Sequence, residues 1–378
     1  MNSLVLIPGK TGLRYSRVCF DSTGLPHTGP AAASESPGTM TWVGDMRAVL
    51  AAHRDDRSID VLTIRAVFGG RDFSSPIIVD EENQAQLLRL GAQFPMSVAS
   101  TTSLIVDARA AFPKTPIALA FETSFFVDLP SRETTYALPI AAGLSVRRWG
   151  YHGLFHDAAT NELARTLGYE NRPARMLSIC LDSLPEMAAV LGRTPLTVTS
   201  GSTPMEGLPG EFNCGEIDPA IALALASDKA LGPERANLLL TQESGFLGML
   251  GRRTTLAEVL TGKSARIAQV REHLLYHMCL AAGTSLTALE GLDGVVISGR
   301  YAEHGDRVAS YLLPRLERTL DVPAGSLPWH ICPTPLNAIV AEAGISALLA
   351  SGRVQEEGIQ VAGAEDGTST GPGWISSR

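Results

Sequence analysis

Residues 3–20 read SLVLI, PGKTG and LRYSRVCF in succession: an apolar run, a turn-forming stretch and an alternating run. That is a strand, a tight turn and a second strand. The plan recurs from residue 174, where ARMLSICLD is a strand, SLPE a turn, MAAVLG a strand and PLTVTSG a third. The two openings share a plan without matching residue by residue. They point to a duplicated unit. At 378 residues the chain has room for two domains of ordinary size.

The segments between and after these openings mix strands with helices. DMRAVLAAHR has helical spacing, IDVLTIRAVFGG is a strand running into a glycine turn, and TPIALAFE is a buried-type strand ending in an acid. Residues 22–42 are rich in Gly, Pro, Ser and Thr and read as a loop. In DPAIALALASD, Asp218 is a plausible N-cap with Pro219 at the first helical position. Residues 264–290 predict one or two helices, and GLDGVVISG a buried strand. GDRVASYLLPRLERTL is helical, with Pro314 expected to kink or break it. The tail from Gly352 lacks apolar periodicity and reads as mobile. The expectation is an α/β protein of two lobes with a cleft between them.

Hydrophobic residues make up 45% of the chain, enough for two cores, and the net charge of -8 argues against a nucleic-acid partner. No apolar run reaches 18 residues and the N-terminus lacks a signal-peptide pattern, so neither a membrane span nor export is expected. Cys19, Cys180, Cys214, Cys279 and Cys332 are odd in number and form no CxxC pair, which fits reduced thiols in a cytoplasm.

Four stretches could carry chemistry. GYHGLFHDAAT (150–160) sets His152 and His156 four apart before a helix expected over 158–167, with Asp157 as N-cap and Gly168 as C-cap. His156 then falls just outside the helix and supports the turn before it. A zinc-binding helix would need a glutamate after the first histidine, and Gly153 stands there. The competing reading is that these histidines pack and hydrogen-bond at a domain junction. Residues 201–221 hold glycines and prolines before a capped helix, where an anion could sit, though a surface loop reads as well. Arg65 ends an apolar strand and could clamp a carboxylate or phosphate, or form a surface ion pair. Glu122 ends another strand, a position suited to Mg²⁺.

Taken in order, these segments resemble the acetate and propionate kinase family. FETSFFVDLP is similar to the family's FDTAFHQTMP, and RRWGYHGLFH to RRYGFHGTSH. GSTPMEGLPGEFNCGEIDP aligns without a gap on GFTPLEGLMMGTRSGDIDP. ESGFLGMLG, GLDGVVISG and ICPTPLNAIVA resemble KSGLLGISG, GLDALVFTAG and VIPTNEELVIA. The resemblance runs from about residue 3 to 345. It implies a two-lobed actin/sugar-kinase-like α/β fold with a duplicated core and central cleft. Residues 1–124 plus 337–350 would form the N-terminal lobe, 125–336 the C-terminal lobe and 351–378 a flexible tail. It also implies a homodimer, and transfer of a phosphoryl group from Mg-ATP to a short-chain carboxylate, giving an acyl phosphate and ADP.

The resemblance assigns roles residue by residue. Arg65 falls at a substrate arginine, His152 at the histidine that contacts the transferring phosphoryl, and Glu122 at an aspartate that serves catalysis or the metal. Asn213 stands at the second substrate arginine. Gly299 and Glu303 belong to the nucleotide loop. The departures cluster on the phosphate side. Ile7 replaces an asparagine in IPGKTG, where Lys10 could restore positive charge. CLDSLPE replaces the glycine-rich HLGNGAS, so Asp182 would repel phosphate. Arg300 and Tyr301 fill a tight-turn motif. Leu336 and Asn337 replace an acid pair, removing an anchor for Mg²⁺. Two expectations follow: a carboxylate kinase with a strongly eroded nucleotide and Mg²⁺ site, or a family member that binds or regulates without turnover.

Overall fold

The computed structural model describes residues 1–9, 13–20, 26–27, 41–43, 46–54, 56–139, 146–169 and 172–352. Lys10, most of the loop expected over 22–42 and the tail beyond Gly352 lie outside the described residues.

The first sheet contains β1 (Asn2–Pro8), β2 (Leu13–Phe20), β3 (Pro26–His27), β4 (Thr41–Val43), β5 (Val61–Ala66), β6 (Ile77–Ile78) and β7 (Ile117–Phe121). Its order is β3-β2-β1-β5-β7-β6, with β4 also on β2. The second contains β8 (Arg175–Cys180), β9 (Glu186–Leu191), β10 (Thr194–Val198), β11 (Gly294–Ser298) and β12 (Trp329–Ile331), in the order β10-β9-β8-β11-β12. The two sheets repeat one plan. A leading strand (β1 or β8) pairs antiparallel with the next and parallel with a later one, and that strand pairs parallel with another. The strand–turn–strand openings are therefore the first halves of a duplicated core.

Helices cover the sheets: α1 (Met46–His53), α2 (Glu81–Gln93), α3 (Pro95–Ala111), α4 (Ser131–Thr134), α5 (Gly153–Thr166), α6 (Pro219–Ser227), α7 (Gly232–Gln242), α8 (Gly245–Leu250), α9 (Leu256–Thr261), α10 (Ala265–Leu289), α11 (Gly305–Leu320) and α12 (Leu336–Ala350). The central strands β1, β5, β7, β8 and β11 read as apolar runs because both faces are covered, and their residues are almost all buried. Local chemistry starts several helices. Asp218 caps α6 by accepting from the Ala220 amide, and Ser264 caps α10 by accepting from Ile267. The stretch 264–290 is one helix rather than two. Pro314 neither ends nor divides α11. Val308, Leu312 and Leu316 on the buried face of that helix hold it in place through the proline.

Two elements join the lobes. The last helix, α12, returns to the first sheet, where Ile339, Val340 and Ala341 pack with Val5, Ile7 and Ala120. Asn337 Nδ2 donates to Ser16 Oγ on β2 at 3.0 Å. Helix α5 packs against β8 and β11 on one side and against β7 and α12 on the other. It begins at Gly153, five residues before the start expected from sequence. Asp157 is therefore not its N-cap. It lies inside the helix, bonded to Asn161 and paired with Arg193. His156 also lies inside the helix and is fully buried.

Candidate active site

The GYHG turn at the start of α5 is held from both sheets. Gly153 N donates to the Glu122 carbonyl at 3.1 Å, and Leu154 N donates to Glu122 Oε2 at 3.2 Å. Glu122 directly follows β7 and is fully buried. Its Oε1 accepts from Arg65 Nε at the end of β5, so both carboxylate oxygens are engaged by protein donors. From the second sheet, Glu186 on β9 accepts from Tyr151 N and His152 N, each at 2.9 Å. The glycines are sterically required. A Cβ on Gly153 would sit 2.1 Å from the Glu122 carbonyl oxygen, and one on Gly150 would sit 2.1 Å from the Phe126 ring.

His152 is the N-cap residue of α5 and only 8% exposed. Its Nε2 lies 2.9 Å from the Leu184 carbonyl. A carbonyl can only accept, so Nε2 carries a proton in that bond. Nδ1 is buried and has no partner. Below it, His156 Nδ1 bonds Ser178 Oγ at 2.7 Å, and its Nε2 stands 3.3 Å from Glu186 Oε1. Burial pushes the Glu186 carboxyl up, but the His156 hydrogen bond, the nearby histidine charges and a bond from Ser200 outweigh it and hold it at about 2.

Charges gather at the carboxyl ends of the parallel strands, the usual ligand position in an α/β sheet. Asp182 and Arg300 follow β8 and β11, and Arg300 Nη2 lies 3.7 Å from Asp182 Oδ1. Burial pushes the Asp182 carboxyl up, while Arg300, His152, the Ser183 amide and Arg65 pull it down, and the net shift is downward. Arg14 on β2 is brought down to about 10, by burial first and then by Arg300 and Arg65, with Asp182 opposing. Tyr301 donates to Glu211 Oε1 at 2.8 Å, and burial together with that carboxylate pushes its hydroxyl up to about 12.

Of the residues read from sequence, Arg65, Glu122 and His152 come together at the lobe junction. Gly299 lies in the second sheet's turn after β11, with φ of +100° and its backbone against the Leu181 carbonyl, where a Cβ would be 2.6 Å away. Glu303 is exposed and faces His304 at 3.5 Å. Asn213 is 1% exposed, and its Nδ2 donates to the Leu208 carbonyl at 3.4 Å within the 201–215 loop. Its Oδ1 has no partner. That loop is anchored in the fold, with the Phe246 amide donating to the Gly210 carbonyl at 2.9 Å. Sequence reasoning missed Glu186, Arg14 and the pairing of Arg300 with Asp182. The first two carry no local signal, and the third depends on strand register.

The sequence model of the acetokinase family matches residues 30–320. The chain belongs to the acetokinase family. It is 27% identical over 314 residues to an acetate kinase of Nitrobacter hamburgensis, covering 78% of each chain. It is 32% identical over 260 residues to an acetate kinase of Clavibacter michiganensis, covering 67% of this chain and 65% of that one. In structure it is similar to a propionate kinase from Francisella tularensis, with a TM-score of 0.76 and 18% identity over 91% of this chain and 99% of that one. The fold is thus the two-lobed α/β architecture of the acetate and propionate kinases. Among the described residues, no helix is long and apolar enough to cross a membrane.

Proposed function

We propose that this acetokinase-family chain is a carboxylate kinase that moves a phosphoryl group between ATP and a short-chain carboxylate. The supporting observation is the GYHG turn, which carries a buried, unpartnered His152 Nδ1 and is tied through its next two amides to Glu122 of the Arg65–Glu122 pair. In this reading Arg65 holds the carboxylate through its two terminal nitrogens, since Nε is committed to Glu122. His152 Nε2 is committed to the Leu184 carbonyl, so Nδ1 must take up a proton to donate to a phosphoryl oxygen. Asp182 lies within Coulombic reach of that ring. Asn213 shapes the substrate side, and Gly299 and Glu303 the nucleotide side.

The family implies Mg²⁺ as well as ATP, and the residues present do not fit the metal. Glu122 is engaged at both oxygens, and Asp182 faces Arg300 and the Ser183 amide. No three His, Cys, Asp or Glu side chains among the described residues form a metal-sized group. The same Asp182–Arg300 pair favours a second reading, a family member that binds an acyl phosphate or a sister subunit without turnover.

Trapping the acyl phosphate with hydroxylamine separates the two. With ATP, Mg²⁺ and acetate, propionate or butyrate, the kinase reading expects hydroxamate product and a raised melting midpoint. His152→Ala should then lower the rate by roughly 10²–10³. Product formation unaffected by His152→Ala overturns the assignment of that residue. Absence of product with all three acids overturns the kinase reading.

A further inference from the structure

We propose that Arg14, Arg65 and Arg300, together with Nδ1 of His152, form a metal-independent site for one phosphate-sized tetrahedral oxoanion. The inference rests on the reading of the junction as a phosphoryl-transfer site, and deepens it. Register places the first two guanidiniums. Arg14 pairs with Ile7 across β1–β2, and Leu6 pairs with Ile64 across β1–β5, so Arg65 is the next residue along, beside Ile7. Arg14 and Arg65 thus lie in one row of the sheet, two strands apart, which is roughly 9–10 Å. Paired residues share a face. That face carries Val5, Ile7 and Ala120, which pack with Cys180 of the second sheet. The two arginines therefore project on the side where β8 ends and Asp182 begins.

Register places the third. Ser298 pairs with Cys180, and the Tyr301 amide donates to the Leu181 carbonyl at 2.9 Å, which sets Arg300 next to Asp182. Arg14 lies within Coulombic reach of Arg300, Asp182 and Arg65. Three guanidiniums face two carboxylates, and the carboxylates are already committed. Glu122 is held by Arg65 and the α5 amide, and Asp182 by Arg300 and Ser183. Arg14 has no hydrogen-bond or ion-pair partner among the described residues. A half-buried, unpaired guanidinium is costly, and a tetrahedral anion with several acceptor oxygens relieves that cost. His152 supplies an independent sign of a ligand: its Nδ1 is buried and unpartnered, and its ring is in Coulombic reach of Asp182.

The acids that the family pattern loses at Leu336 and Asn337, and the guanidinium it gains at Arg300, are then one change. Positive charge that a metal would bring is carried by the chain itself. The ligand chemistry is a single phosphate group, whether free inorganic phosphate, the phosphoryl group of an acyl phosphate or the terminal phosphate of a nucleotide.

Calorimetric titration of the full chain tests this, with inorganic phosphate, acetyl phosphate and ATP, each in EDTA and again with Mg²⁺. Inorganic phosphate and acetyl phosphate should bind in EDTA, with affinity that Mg²⁺ leaves unchanged. ATP binding in EDTA as well would add the nucleotide as a source. Arg14→Gln and Arg300→Gln should each weaken phosphate binding roughly tenfold or more, with Arg14→Lys between. Arg193→Gln, on an exposed arginine paired with Asp157, should change nothing. Circular dichroism and melting of each variant show that the fold is retained. Phosphate binding that requires Mg²⁺, or that survives both Gln substitutions in folded protein, overturns the proposal. Phosphate binding in EDTA without hydroxamate product overturns the kinase reading alone. Product formed with Mg-ATP while phosphate fails to bind in EDTA overturns this inference alone.

Discussion

Glu186 shows how one side chain can organise a site from beneath. Its carboxylate takes the amides of Tyr151 and His152 and the ring of His156 in a fully buried setting. Its carboxyl is held at about 2, against an ordinary 4.5. The unfolded chain then takes up this proton at a higher pH than the folded one. The stability it contributes is complete above about 4.5 and is lost as pH falls towards 2. Glu186→Gln should therefore lower the melting midpoint at neutral pH and flatten its fall over that acid window, as differential scanning calorimetry would read. An unchanged acid profile would mean that other carboxylates carry the acid sensitivity. In sequence, Glu186 is only the last letter of a departed phosphate loop. Its role depends on backbone amides some 35 residues upstream, and no local pattern records them.

At the scale of elements, α5 carries the same lesson. Asp157 is the best local cap in its stretch, yet the helix starts at Gly153. Its first amides are satisfied by Glu122 from the first sheet and its N-cap amide by Glu186 from the second. A cap delivered through tertiary structure outweighs one available in sequence. The position is also tight. Gly153→Ala would place a carbon 2.1 Å from the Glu122 carbonyl oxygen, and overpacking of this kind costs about 1–3 kcal/mol. Thermal unfolding should show that loss, together with a larger loss of hydroxamate formation because His152 is displaced. A variant as stable and active as the parent would mean that the turn relaxes freely. Asp218 and Ser264, by contrast, cap α6 and α10 as their sequences indicate, because there the acceptor and the amide are neighbours in the chain.

For the whole molecule, duplication decides the architecture and an uncovered surface decides the next question. The nine residues of α6 are strongly apolar and none is buried, with Ile221 51% and Leu223 67% exposed. Apolar surface of this sort is suited to contact with a partner surface. The homodimer expected from the family would cover it. Light scattering should give a particle of twice the chain mass, and Leu223→Glu should shift it to the monomer. A monomeric parent overturns that expectation.

The sequence by itself marked the central strands β1, β2, β5, β7, β8, β9, β10 and β11, the starts of α6 and α10, the repeated strand–turn–strand plan and the family, because each rests on neighbouring residues or on ordered motifs. It also marked Arg65, Glu122 and His152, which the fold brings to one junction. Tertiary structure alone decided where α5 begins, that Glu186 anchors the GYHG turn, that Arg300 pairs with Asp182, and that Arg14 shares a row of the first sheet with Arg65. Those outcomes depend on sheet register and on caps from distant strands. Such contacts form between residues tens to hundreds of positions apart, where composition and periodicity carry no signal.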